Sequence, residues 1–222
     1  MDHTVRTPPS LAKARESSPD PLRLRALRIL KGTANFDDRY VADQADLVRL
    51  VEILSSLGCT IAFTMGSWDF FHLGHSDYIK KGKEEAAKIC PDAEHIIMVV
   101  GVDSDDLVRQ RKGAKRPFVK EGERLRQLAH LRSVDILALE QTLGEMPRVL
   151  PHDVRIVSES TNDSVRLERQ RQYCRHLINL PPQLDDSATA RLRRLTLEGS
   201  TETLEEIEVG LKELLEKIRA KK

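Results

Sequence analysis

Residues 63–78 read FTMGSWDFFHLGHSDY and join the end of a β-rich run to the start of a helical one. The β-rich run covers residues 60–65, and the spacing of apolar residues predicts a helix over residues 76–88. Such a turn aims the free N–H groups of the first helical turn at the end of the strand, where the helix dipole adds partial positive charge. The stretch therefore predicts an anion-binding turn at the edge of a sheet.

Two histidines, His72 and His75, lie at the entrance of this predicted helix with Gly74 between them. Gly74 has no Cβ, so a phosphate group can approach the backbone closely. Two imidazoles here can donate hydrogen bonds to one phosphate chain, and phosphoryl or nucleotidyl transfer depends mainly on such alignment and charge stabilisation. The spacing alone also fits an accidental pair or a metal site, although no third ligand is obvious nearby.

Strand-like and helix-like segments alternate along the rest of the chain. Strands are predicted at residues 95–102, 134–139, 154–158 and 176–180, and helices at residues 121–131, 146–150, 163–173 and 187–195. The run HIIMVVGV at 95–102 is almost continuously apolar, as expected of a strand covered on both faces. This order predicts an α/β fold, a Rossmann-like doubly wound parallel sheet that binds ligands beyond the carboxyl ends of its strands.

Three further segments flank this predicted sheet. Residues 1–22 are rich in proline and are expected to form a flexible N-terminal arm. Residues 23–57 are expected to form a helical extension in which Asp43 caps a helix that ends near Gly58. Residues 200–222 are predicted as a C-terminal amphipathic helix whose heptad-spaced apolar residues fit either packing on the same domain or a homodimer contact.

The composition excludes several classes of protein. The chain has 222 residues and a net charge of +1, so it has no overall field that would attract nucleic acid or a membrane. Its longest apolar run is about eight residues, too short to cross a bilayer, and the first ten residues lack the apolar core of a signal peptide. The three cysteines are widely spaced and show no metal-ligand spacing. We expect a cytoplasmic protein with reduced thiols and with neither nucleic-acid nor membrane partners.

Residues 109–132 form a strongly basic segment with nine lysines or arginines and two acidic residues. Gly113 and Pro117 predict a loop, in which Lys112 and Arg116 are our candidates for neutralising a triphosphate. Arg124, on the following predicted helix, is a further candidate because a guanidinium group can bind phosphate through two parallel hydrogen bonds. The segment also fits a solvated basic face or a nucleic-acid patch, but Phe118 is its single aromatic residue.

The sequence GSWDFFHLGH at residues 66–75 resembles the G-x-F-D-x-x-H-x-G-H signature of the cytidylyltransferase-like nucleotidyltransferase superfamily. Two later segments, VDSDDLVRQRKGAKRP at 102–117 and LPPQLDDSATARLRRL at 180–195, resemble later superfamily motifs in the same order. The resemblance covers roughly residues 58–196 and is nearest to the heptose-phosphate adenylyltransferase and glycerol-3-phosphate cytidylyltransferase branches. SESTND at 158–163 departs from the Lys-Gly-Gly-Asp-like stretch of the heptose branch.

The resemblance implies a nucleotidyltransferase domain at residues 58–197. It implies transfer of AMP or CMP from ATP or CTP, with Mg²⁺, to a small acceptor such as a sugar or polyol phosphate, and release of pyrophosphate. His72, His75 and Lys112 would be catalytic, Asp69 and Asp103 would contact the acceptor, and no protein ligand of the metal is assigned. The implied nucleotide contacts are Thr64, Met65, Gly66, Ser67, Trp68, Asp69, Gly74, Arg116, Arg124, Ser158, Ser187, Ala188 and Thr189. The alternatives are a CTP-dependent enzyme for an alcohol phosphate and a non-catalytic nucleotide sensor.

Overall fold

The computed structural model describes residues 20–161, 164–183 and 208–209. The helices are α1 Pro21–Leu30, α2 Phe36–Arg39, α3 Gln44–Ser56, α4 Leu73–Ile89, α5 Asp105–Lys112, α6 Glu121–Ala129, α7 Met146–Val149 and α8 Ser164–Arg171. The strands are β1 Tyr40–Val41, β2 Cys59–Gly66, β3 His95–Asp103, β4 Ile136–Glu140, β5 Val154–Ser158 and β6 His176–Leu180. The predicted helix at 187–195 lies outside the described residues, as do residues 1–19 of the arm and the C-terminal helix apart from Glu208 and Val209, which are helical.

The six strands form one parallel sheet in the order β1-β4-β3-β2-β5-β6. The chain runs from β2 outward to β3 and β4 on one side, and then returns to β5 and β6 on the other. β2 pairs with β3 along the whole of β2, whereas β2 and β5 pair only at Ala62 with Val154 and at Phe63 with Arg155. Ligands of open α/β sheets bind at such a reversal of strand order. The predicted Rossmann-like parallel fold is confirmed.

Helices cover both faces of this sheet. Successive residues of a strand point to opposite faces, so Phe63 and Ala62 of β2 belong to two different cores. Phe63 packs in a cluster with Leu50 and other apolar residues of α1 and α3. Ala62 packs in a second cluster with Ile79 of α4 and with Leu128 of α6. Among the described helices, none is long and apolar enough to cross a bilayer.

Three elements of the structure were not predicted from the sequence. The helix α5 covers part of the segment interpreted as a basic loop, so Lys112 is the last residue of a helix. Its signals were local: the Ser104 hydroxyl accepts the Leu107 N–H at 3.3 Å, acidic residues occupy the first turn and basic residues the last. The other two, α2 and β1, have four and two residues and are too short to show a periodicity.

The predicted cap at Asp43 is confirmed. Its side chain accepts a hydrogen bond from the N–H of Asp46 at 2.9 Å at the start of α3. This bond satisfies one of the N–H groups that a helix start leaves without an intrahelical acceptor. The cap sets the beginning of the helix that covers one face of β2.

Candidate active site

A cavity of about 1540 Å³ opens at the carboxyl ends of β2 and β5. The end of β2 and the turn into α4 form one wall, and the end of β5 with α8 forms another. Most of the predicted site residues line it: Met65, Gly66, Ser67, Trp68, Asp69, His72, Gly74, His75, Lys112, Arg116 and Ser158. The fold therefore brings the turn, the basic segment and the end of β5 to one cavity.

The turn between β2 and α4 is held by Trp68. Trp68 and Phe70 have φ values of +52° and +49°, a left-handed conformation that costs a non-glycine residue about 1–3 kcal/mol. The buried indole N–H of Trp68 donates to the carbonyl oxygen of Gly101 at 2.8 Å. A Cβ at Gly66 would lie 3.3 Å from the Trp68 ring, so glycine lets the ring pack closely against the chain. Packing of this one side chain therefore supports the strained turn.

The two histidines stack on each other at the start of α4. Their ring centroids are 4.0 Å apart, and His72 is the residue that precedes the first helical residue. The His75 ring also contacts Trp68 and Phe71, each with a centroid distance of 5.5 Å. Burial, followed by the electrostatic effects of His72 and Lys112, lowers the pKa of His75 to about 4. His75 is therefore neutral at physiological pH, and its ring carries a single N–H donor.

Lys112 reaches the turn from the end of α5. Its Nζ donates a hydrogen bond to the Ser67 hydroxyl at 2.6 Å. Burial, and after it the charges of Arg111 and Arg116, hold the pKa of Lys112 below its ordinary value. A cationic donor beside the histidine turn is suited to binding phosphate oxygens.

Asp69 connects the turn to the loop after α5. Its carboxylate accepts from Arg116 Nη1 at 2.7 Å and from the backbone N–H groups of Phe118 and Val119, each at 3.0 Å. Burial raises its pKa, but the hydrogen bonds from Arg116 and the two N–H groups outweigh burial, and the pKa lies below its usual value. Asp69 is therefore an ionised anchor whose two oxygens are already hydrogen-bonded.

Arg124, a predicted phosphate contact, is not among the residues that line the cavity. Its side chain has no exposed surface. It donates to the backbone carbonyl groups of Ser67, Val119 and Asp103 and to the carboxylate of Asp105. Arg124 thus joins the ends of β2 and β3 to the loop before α6. The guanidinium group is therefore held by contacts within the protein.

Asp103 and Thr64 also lie away from the cavity wall. Asp103 is completely buried, and its Oδ2 accepts a hydrogen bond from Arg111 Nη1 at 2.6 Å. Thr64 is buried, and its hydroxyl lies 3.3 Å from the Tyr78 hydroxyl. Neither Asp103, a predicted acceptor contact, nor Thr64, a predicted nucleotide contact, is among the residues that line the cavity.

Ser187, Ala188 and Thr189 lie outside the described residues. The cavity lining includes Arg148 and Arg155, which sequence analysis did not select. A signal for Arg155 was present, because a charged residue interrupts the apolar strand VRIVS. Its direction could not be inferred, since residues on either face of a doubly covered strand are buried.

The wall of the cavity is strongly cationic. Its described lining includes seven lysines or arginines, whereas its acidic members are Asp69 and Glu168. The cations are Arg111, Lys112, Arg116, Arg148, Arg155, Arg166 and Arg169. No group of three or more histidine, cysteine, aspartate or glutamate residues suited to a metal ion occurs in the described part of the chain. The charge of the wall fits a polyanionic ligand.

Residues 63–145 match the cytidylyltransferase-like family. The bifunctional protein HldE of a Nitratiruptor species is 30% identical over 121 residues, which cover 54% of this chain and 24% of that protein. The HldE protein of Helicobacter pylori is 35% identical over 112 residues, covering 50% of this chain and 22% of that protein. The chain thus spans about a quarter of the length of these curated relatives.

Among solved structures, the lipopolysaccharide core biosynthesis protein from Thermoplasma volcanium is similar at 21% identity with a TM-score of 0.46, over 56% of this chain and 98% of that chain. The family match covers the turn with both histidines, Lys112 and the loop that contains Arg116. The resemblance inferred from GSWDFFHLGH is confirmed by this match. The matched residues 63–145 build the histidine side of the cavity.

Proposed function

We propose that the protein is a nucleotidyltransferase that moves AMP or CMP from ATP or CTP to a small phosphorylated acceptor and releases pyrophosphate. The observation that carries the proposal is the convergence of His72, His75 and Lys112 on one cationic cavity at the switch point of the sheet. The family match over residues 63–145 supports the same reaction class. Sugar, polyol and amino-alcohol phosphates are the acceptor classes to be distinguished.

In this reaction an oxygen of the acceptor phosphate forms a bond to the α-phosphorus of the nucleotide. The bond between that phosphorus and the oxygen bridging to the β-phosphate breaks, and pyrophosphate leaves with the electron pair. The acceptor is already an anionic nucleophile, so no covalent enzyme intermediate and no general base are required. The task of the protein is alignment and stabilisation of the negative charge on the phosphates.

Different residues of the site would contribute to this alignment and to the charge stabilisation. The N-terminus of α4, with Gly74 and His75 in the cavity wall, offers backbone N–H groups and a helix dipole to the phosphates. The neutral His75 supplies one directed N–H, and Lys112 supplies a positive charge beside the turn. Asp69 serves to orient Arg116 and the loop after α5, since its oxygens accept hydrogen bonds from both.

Mg²⁺ would neutralise part of the phosphate charge of the nucleotide. No group of three or more histidine, cysteine, aspartate or glutamate residues suited to this ion occurs in the described ranges, and Asp69 and Asp103 are each paired with an arginine. The phosphate oxygens of the nucleotide are therefore the expected ligands of the ion. The protein residues contribute by holding those phosphates in place.

The proposal is tested by measuring pyrophosphate release with Mg²⁺, using ATP or CTP against a panel of sugar, polyol and amino-alcohol phosphates. We expect release with one nucleotide and one class of acceptor, and equal amounts of pyrophosphate and nucleotidyl product. Tight nucleotide binding without turnover for every pair would contradict the proposal and would favour a nucleotide sensor. Binding that is lost steeply with salt and requires a nucleic acid would instead favour a nucleic-acid-binding protein.

A further inference from the structure

Arg155 lies at the point where β2 and β5 separate. It is directly opposite Phe63 in the sheet register, and this is the last pair between the two strands before the cavity opens. The side chain is 4% exposed and still contributes to the cavity wall. A buried cation thus faces the cavity from the strand that neighbours the histidine turn.

The hydrogen-bond acceptors that hold the Arg155 side chain are neutral. Its Nε donates to Gln170 Oε1 at 2.9 Å, and its Nη1 donates to the carbonyl oxygen of Phe63 at 3.1 Å. The guanidinium carbon lies 4.4 Å from the centre of the Phe63 ring. Within the described ranges, no carboxylate lies within 4.0 Å of its nitrogen atoms. These contacts orient the group without neutralising its charge.

The charge of Arg155 persists at neutral pH. Burial lowers its pKa to about 10, and the nearby Glu140 acts on it only from beyond ion-pair distance. Burial also raises the pKa of Glu140 to about 7, so this carboxyl group is only partly ionised near neutral pH. A buried charge without an ionic partner is unfavourable unless the site is completed by an anion.

The position of Arg155 differs from that of the other cations of the site. Lys112 and Arg116 contact Ser67 and Asp69 of the turn, where the triphosphate is proposed to bind. In-line displacement requires the attacking oxygen to approach the α-phosphorus from the side opposite the departing pyrophosphate. The acceptor phosphate therefore needs its own cation, separate from those that bind the leaving group.

We infer that Arg155 forms an anion subsite that binds the phosphate monoester of the acceptor across the cleft from the histidine turn. The inference rests on the proposed function for its identification of the ligand as the acceptor. The free edge of the guanidinium group, with Nε and Nη1 already hydrogen-bonded to the protein, would present Nη2 to the phosphate. Arg148, from α7, lines the same cavity and adds positive charge.

The test uses inorganic phosphate as the probe and compares Arg155→Met with wild type. Phosphate binding is measured by calorimetry in the presence of a saturating α,β-methylene analogue of ATP or CTP, so that the triphosphate cradle is occupied. We expect Arg155→Met to weaken phosphate binding about tenfold to a hundredfold, the effect of losing a charge-assisted hydrogen bond, and to leave the affinity for the analogue within about twofold. Arg175→Gln is the matched control, because it removes one exposed arginine beside the start of the neighbouring β6.

The thermal stability of Arg155→Met distinguishes a ligand-binding role of Arg155 from a structural role. The buried charge of Arg155 has no ion-pair partner in the described part of the chain, so its removal offsets the loss of the hydrogen bonds to Gln170 and Phe63. Arg155→Met is therefore expected to unfold at about the same temperature as wild type. Phosphate should no longer raise that temperature. Arg155→Lys retains a cation and serves as the second variant, with an intermediate phosphate affinity. Unchanged phosphate binding in both variants, or an equal loss of phosphate and nucleotide affinity, would overturn the inference.

A different result is expected if Arg155 binds an anion but the protein is not a nucleotidyltransferase. If wild type binds neither nucleotide analogue, the phosphate titration is made without nucleotide in His75→Ala, in which the turn has lost a proposed phosphate donor. Phosphate binding that still depends on Arg155 would then support the anion subsite while contradicting the transferase. Once an acceptor is known, Arg155→Met should raise its KM with little change in the KM of the nucleotide.

Discussion

At the scale of single residues, the packing around His75 decides its protonation state. Its ring is enclosed by His72, Trp68 and Phe71, and burial is the largest cause of its lowered pKa of about 4. A neutral imidazole next to Lys112 avoids repulsion between two cations and keeps one N–H for a phosphate oxygen. The hydrogen bond that His75 is proposed to donate to a phosphate depends on this packing.

We predict that the His75 imidazole of the free protein titrates with a midpoint near 4 in an NMR titration. The lowered pKa favours the neutral form in the folded state. Its contribution to stability is therefore complete above the ordinary histidine pKa of 6.5 and is lost as the pH falls toward 4. The exposed His130 provides a comparison within the same spectrum. A His75 midpoint near 6.5 would contradict the burial argument.

His75→Ala should lower kcat by about 10²–10³-fold, the usual effect of removing one preorganised hydrogen-bond donor from a transition state. The measurement is steady-state pyrophosphate release with the nucleotide and acceptor identified by the screen. His130→Ala, a surface substitution at the end of α6, should leave kcat unchanged. Full activity of His75→Ala would reject the role of the turn.

At the scale of elements, Arg124 ties together the parts that shape the cavity. It lies on α6 and reaches the ends of β2 and β3 and the loop before its own helix. Its partner Asp105 opens α5, the helix that carries Lys112. The position of Lys112 against the turn thus depends on an arginine that does not line the cavity.

We predict that Arg124→Met lowers the free energy of unfolding by about 3–5 kcal/mol, because it leaves a buried carboxylate and several carbonyl groups without their donor. Urea unfolding measures the change. Arg126→Met on the same helix is the control and should cost less than about 1 kcal/mol, since Arg126 is exposed and only stacks at 5.7 Å over Phe36. A stable Arg124→Met protein with a raised nucleotide KM would instead indicate direct phosphate contact.

At the scale of the whole molecule, two apolar cores share one sheet. Leu50 of α3 lies in the core on one face, and Trp68 lies in the core on the other. The segment 20–57 supplies α1 and α3 to the first core and β1 to the sheet edge next to β4. We therefore propose that residues 20–57 fold together with the sheet, although the family match begins at residue 63.

Leu50→Ala tests this coupling, since the side chain is fully buried in the core under α3. Loss of about 2–5 kcal/mol should lower the unfolding temperature by roughly 5–15 °C. Trp68 is the single tryptophan of the chain, so its fluorescence reports the core on the opposite face of the sheet. If the two cores unfold together, fluorescence and circular dichroism should show the same lowered unfolding temperature. Leu27→Ala, at an exposed position of α1, should change little.

An unchanged fluorescence transition in Leu50→Ala, with an earlier loss of helical signal, would mean that the two parts unfold independently. Two-state unfolding of the described core requires both probes to coincide. The comparison needs no ligand and is independent of the proposed activity.

Much of the fold and the position of the site followed from local patterns. The alternation of strand and helix signals, the strand-turn-helix at residues 60–88 and the basic residues after β3 are properties of contiguous sequence, since each element buries its own face. They were sufficient to predict a parallel α/β sheet and a turn suited to anions, and the histidines, Lys112 and Arg116 do line one cavity.

Only the tertiary structure decided how the remaining charged residues are used. Arg124 and Asp103 lie in basic and acidic sequence contexts that suited a ligand, yet both are enclosed within the protein, whereas Arg155 interrupts an apolar strand and reaches the cavity. Periodicity shows that a residue is buried but not whether protein or ligand lies beyond it. For Arg155 the answer depends on where β2 and β5 separate, which is just after Phe63 pairs with Arg155. These two residues contact each other although they are 92 positions apart in the chain.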